Sequence, residues 1–73
     1  MIEYKFIIKR NSNKRFGKPC ARDTRITVFD VLGWLAPGMT YEALIYDFPK
    51  LIIDDIKACL ANAADREHKL QLG

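Results

Sequence analysis

Two proline-containing breaks divide the second half of the chain and restrict what it can become. Apolar residues recur at helical spacing from Val28 to Leu70, and the pattern is interrupted at Pro37-Gly38 and again at Pro49. A proline cannot continue a helix, and it biases the residue before it away from helical geometry. The segment 28–70 therefore reads as three helices with tight turns between them. Thr27 is a good N-cap for 28-VFDVLGWLA-36, with Asp30 in the first turn, where the helix dipole favours an acid. Pro37-Gly38 ends that helix, and Gly38 supplies the left-handed residue after it. Thr40 caps 41-YEALIYDF-48, with Met39 and Leu44 spaced as a hydrophobic staple, and Pro49 stops it. The third helix spans 53-IDDIKACLANAADREHKL-70 and carries an apolar stripe of Ile53, Ile56, Leu60 and Ala63. Asp54 and Asp55 mark its start, although no Ser, Thr, Asn or Asp precedes it as a cap. Gly33, inside the first helix, implies close packing by a neighbouring element.

Ahead of the helices, 2-IEYKFIIK-9 alternates with a period of two and reads as a strand with one buried face. It needs a partner, either 24-TRITV-28 or the same strand of a second chain. The polar run between them is a loop. The expected fold class is mainly α: a three-helix, helix-turn-helix core of winged-helix or homeodomain type, preceded by an N-terminal β-strand and a possible second short strand. One domain covers residues 1–73, with the strand at 1–9, a basic loop and short strand at 10–27, and the helical core at 28–70. The five aromatics of the helices, Phe29, Trp34, Tyr41, Tyr46 and Phe48, fall at core-like spacings.

Charge is unevenly spread over the 73 residues. Residues 1–27 hold eight Lys and Arg against two acids, a net of +6, and residues 28–73 hold four against seven, a net of −3. The basic third suits a polyanion or an acidic protein surface, or is simply solvated surface. No apolar run approaches the roughly 20 residues that span a bilayer, so a cytoplasmic protein with no membrane partner is the expectation. Cys20 and Cys59 stand apart from any CxxC or Cys/His cluster. A disulfide between them is one alternative, and two reduced, buried thiols are the other.

The dense stretch 17-GKPCARDTRITV-28 fails as a phosphate loop. Ser12 stands where the upstream glycine is needed, and Lys18 is followed by Pro19 rather than Ser or Thr. His68 with Asp65 offers at most two ligands, short of the three or four that zinc requires. No nucleophile and base pair can be assembled without that histidine, so neither catalysis nor a cofactor is expected. The helix-turn-helix spacing points to DNA, but Asp54 and Asp55 open the third helix, where carboxylates oppose phosphates.

Taken in order, Gly17, Pro19, Thr24-Arg25-Ile26, Val28, Gly38-Met39-Thr40, Phe48-Pro49 and Asp55-Ile56 resemble the motif string of the domain-of-unknown-function-433 (DUF433) family. That string reads G-x-P-x-x-x-G-T-R-I-x-V, then L-A-x-G-M-[ST]-x-E, then a Y/F-P-x-L motif and an acidic D-I-x-A-x-L helix. The resemblance runs from Gly17 to about Asp65. Two positions depart from it: Asp23 replaces the glycine before Thr-Arg, and Ile52 replaces the threonine that opens the third helix. The resemblance implies a VapB-like antitoxin of a type II toxin–antitoxin pair, with a PIN-like ribonuclease toxin as its protein partner, operator DNA as a second partner and a homodimer as the working form. Lys14, Arg15, Lys18, Arg22, Arg25 and Lys57 are then the candidate DNA or toxin contacts. Gly17, Pro19, Thr24, Thr27, Gly38, Thr40 and Pro49 are structural motif residues. Arg25 has an equal alternative, a salt bridge to Asp30 or Asp47 that locks the turn. A stand-alone DNA-binding regulator and a dimeric protein-interaction adaptor are the rival readings.

Overall fold

The computed structural model describes residues 4–10, 15–22 and 24–72. The fold is mainly α, with three helices and a two-stranded antiparallel sheet near the N-terminus. Strand β1 (Ile8–Lys9) pairs with β2 (Cys20–Ala21), Ile8 facing Ala21 and Lys9 facing Cys20. Helices α1 (Val28–Leu35), α2 (Tyr41–Asp47) and α3 (Ile53–Leu72) follow. α3 is the spine: α1, α2, both strands and the turn at Tyr4–Phe6 all pack on it.

Residues 1–3 of the expected strand lie outside the described residues, and within 4–9 the strand is confined to Ile8–Lys9. Tyr4–Phe6 forms one 3-10 turn, closed by Ile7 N–H donating to the Tyr4 carbonyl at 2.9 Å. The Tyr4 hydroxyl donates to Asp65 on α3, which bends the chain onto the helix, and Phe6 is exposed. Period two holds only where a ladder exists to enforce it. The partner of β1 is also not 24–28. Cys20 and Ala21 lie between β1 and that segment, bonded to β1 on one side and on the other receiving an isolated bridge from Thr27. Ala21 N–H donates to the Ile26 carbonyl and Val28 N–H to the Pro19 carbonyl, both at 2.9 Å. Small buried residues at 20 and 21 let the hairpin press against α3, which a bulkier strand would prevent.

The helix boundaries agree with the local signals. Thr27 and Asp30 form a full capping box, in which Asp30 N–H donates to Thr27 Oγ1 at 2.9 Å and Thr27 N–H to Asp30 Oδ2 at 3.2 Å. Thr40 Oγ1 accepts from Ala43 N–H at 3.1 Å, and Gly38 takes φ +111° after α1. Gly33 departs from expectation: it is exposed, and a Cβ built on it would meet nothing within 4 Å.

Ala21, Val28, Val31, Leu44, Leu51, Ile56 and Cys59 form the core, with Met39, Trp34, Tyr41 and Phe48 packed on it. Trp34 stacks on Phe48 with ring centroids 4.3 Å apart, joining α1 to the end of α2. Phe29 and Tyr46 are exposed rather than core residues, and so is Ile53. On α3 the buried positions are Asp55, Ile56, Ala58 and Cys59, so the helix is rotated from the expected stripe and an aspartate takes a core position that Ile53 does not.

Candidate binding surface

Asp55 is 0 % exposed and paired with Arg22. Arg22 Nε donates to Asp55 Oδ1 at 2.8 Å, and Nη2 donates to Oδ2 at 2.7 Å and to the Lys50 carbonyl at 2.6 Å. A planar guanidinium matches both carboxylate oxygens at once, which an ammonium cannot do. Asp55 Oδ2 also accepts from Ile52 N–H at 3.0 Å. The third helix is thus capped from within: Asp55 reaches back to the residue before the helix and performs half of a capping box, where Ile52 has no side-chain acceptor to offer.

The same device appears at α1. Arg15 Nη1 donates to Asp30 Oδ2 at 3.1 Å and to the Arg25 carbonyl at 3.0 Å. Arg15 and Arg22 both hold positive φ, 48° and 45°, a region that non-glycine residues adopt only when the surroundings fix them. Burial pushes the Asp30 carboxyl up, but the Thr27 backbone and hydroxyl and the Arg15 guanidinium together outweigh it and hold it below the usual value. Arg25 therefore does not pair with Asp30; Arg15 has that role, and the Arg25 side chain is exposed with no ion pair among the described residues.

These contacts sort the sequence candidates. Arg15 and Arg22 are each pinned to an aspartate of the same chain, Asp30 and Asp55, while their side chains stay partly open to solvent. Thr24 is structural: its hydroxyl donates to the Ala21 carbonyl at 2.6 Å and accepts from Ile26 N–H at 3.2 Å. Gly17 takes φ 78° and Pro49 opens the turn into α3. Lys57 is exposed on α3, and Lys18 lies at the mouth of a separate groove. Lys14 and Asp23 lie outside the described residues. Sequence reasoning missed Lys9 and Lys50. With Arg22 and Thr24 they line a shallow basic depression of about 520 Å³, where the hairpin meets the α2–α3 turn. The positive character of 1–27 was visible, but the convergence of Lys50 on it depends on the Arg22–Lys50 contact.

Both cysteines are free and buried. Burial, then the nearby Asp55 carboxylate and Cys20, push the Cys59 thiol up to about 12, so it is a packing group rather than a nucleophile. No helix among the described residues is long and apolar enough to cross a membrane.

No curated protein and no solved structure matches the chain. A family model described as Protein of unknown function (DUF433) matches residues 8–63. That span holds nearly all of the motif string that begins at Gly17, together with β1, and the chain belongs to the DUF433 family.

Proposed function

We propose that the protein acts by binding rather than catalysis, as an antitoxin-type homodimer that neutralises a PIN-like ribonuclease and also binds operator DNA. The observation that supports the first half is the basic depression of Lys9, Arg22, Thr24 and Lys50. The active site of a PIN-type nuclease is a cluster of metal-binding carboxylates, and a concave cationic surface is its electrostatic complement. Lysines 9 and 50 are the side chains free to move onto such a site, because the Arg22 guanidinium is held by Asp55. Their ammonium groups displace or screen the metal.

The test is inhibition of the cognate nuclease after co-purification. Lys9→Glu with Lys50→Glu lowers the association rate about tenfold or more, as expected for charges that steer encounter. Unchanged inhibition by this double variant removes the depression from the mechanism. Arg22 is unsuitable as a probe, since its loss disturbs α3 itself.

DNA binding draws support from the pairing of Asp55. Its charge is met by Arg22, so among α3 residues 53–57 the exposed charges are Asp54 and Lys57, which balance. Affinity for a palindromic duplex then falls steeply with salt, and Lys57→Ala reduces that slope by about 1. Absence of binding at low salt leaves a protein-binding role alone.

A further inference from the structure

A second concave surface lies at the other end of α3 and shares no residue with the basic depression. Val28, Phe29, Leu32, Ala63 and Leu70 line a groove of about 430 Å³ between α1 and the C-terminal half of α3. Phe29 is 77 % and Leu70 72 % exposed. Large apolar side chains gathered on one groove differ from the scattered exposure that any surface shows. The buried positions of α3 end at Cys59, although the helix continues to Leu72. Residues 60–63 and Asp65 are half-buried, and residues 66–70 are exposed. A helix draws most of its stability from packing an apolar face, so residues 66–70 have less cover than the first two turns.

What covers them is indicated by the face itself. It presents an exposed ring, Phe29, at this groove of about 430 Å³, whose wall includes Val28, Leu32 and Ala63. Lys18 and Arg66 stand on its rim together with Glu67. A surface that carries both ring and groove, and both signs of charge, is complementary to itself, which a two-fold interface requires. The alternative of pairing through the basic depressions sets like charges against each other.

We infer that two copies associate through this groove about a two-fold axis, each Phe29 seated in the groove of the other and Lys18 and Arg66 facing the partner's Glu67. Two buried aromatic rings supply about 300–500 Å² of the roughly 1,200–2,000 Å² that a stable interface buries. Lys18, Arg66, Glu67 and Leu70, exposed on the same groove, add to that area. The inference rests on the dimeric form in the function proposed above, and it leaves both basic depressions open to a nuclease.

Sedimentation velocity of the full chain from low to high micromolar concentration tests it, with circular dichroism to confirm the fold. The wild type sediments as a dimer of the 8.4 kDa chain. Phe29→Glu raises the dissociation constant at least about 30-fold, as loss of an interface anchor does. Leu70→Lys, far along α3, acts in the same direction and serves if Phe29→Glu fails to fold. Tyr46→Glu, at an exposed aromatic on α2, leaves the dimer intact. A wild type that is monomeric throughout overturns the inference, as does a dimer indifferent to both groove variants. A monomer that loses a protein partner on Phe29→Glu gives the groove to that partner and also overturns it. Nuclease inhibition by a wild type that is monomeric overturns the groove pairing while leaving toxin neutralisation in place.

Discussion

An arginine in a basic segment is a contact residue or a strut, and its partners decide which. Arg22 places three donors on Asp55 and the Lys50 carbonyl, while Arg25 makes no ion pair among the described residues. Removing one member of a buried pair leaves the other charge desolvated and unpaired, which is far worse than losing both. Arg22 itself is partly solvated, yet the carboxylate it serves is fully buried. Arg22→Ala therefore destabilises the fold by roughly 3 kcal/mol, a large share of what a small domain has. Arg25→Ala changes stability by no more than about 0.5 kcal/mol. Urea unfolding of the two variants gives the contrast; equal midpoints would place Arg22 among the surface residues. Binding assays on Arg25→Ala then report contact chemistry without a folding defect.

At the scale of elements, the two glycines that bracket the end of α1 are opposite cases. Gly33 lies in the helix with open space where a Cβ would go, so Gly33→Ala stabilises the protein by about 0.8 kcal/mol through helix propensity. Gly38 holds φ +111°, and Gly38→Ala forces an L side chain into a region that costs at least about 1 kcal/mol. Thermal midpoints moving up for the first and down for the second is the expected result; a rise for both would mean that the turn relaxes. Signals of this kind are local, and local signals were legible: Thr27, Thr40, Pro37-Gly38 and Pro49 place the helix ends because a cap or a break acts within one turn. Pairing across distance was not. Nothing in the spacing joins Arg22 to Asp55, 33 residues away, so the burial of an aspartate ahead of Ile53 was hidden, and with it the rotation of α3. The two-stranded sheet was legible, but its extent and partner were misread for a related reason: alternation marks a strand only if a partner of equal length exists, and the partner here has two residues.

For the whole molecule, a small core built on residues such as Val31, Leu44, Leu51, Ile56 and Cys59 makes stability sensitive to any group whose ionisation the fold opposes. Cys59 is such a group, its thiol raised from 9.0 to about 12 by burial and then by Asp55 and Cys20. In the unfolded chain the thiol loses its proton near 9, whereas the folded chain keeps it until about 12. The folded state binds the extra proton in that window, so stability is complete below pH 9 and falls as pH rises toward 12. At the acid end the sign reverses. Asp30 is held below 3.8 by the Thr27 cap and Arg15 against the opposing effect of burial, and Asp65 by the Tyr4 hydroxyl and Lys69. Their contributions are present above 3.8 and are lost as pH falls below it. Stability measured by urea unfolding across pH thus shows a plateau with two falling edges. Cys59→Ala isolates the thiol: the variant has a shallower alkaline edge and an unchanged acid edge. An alkaline edge as steep in Cys59→Ala as in the wild type would leave the thiol with a packing role alone.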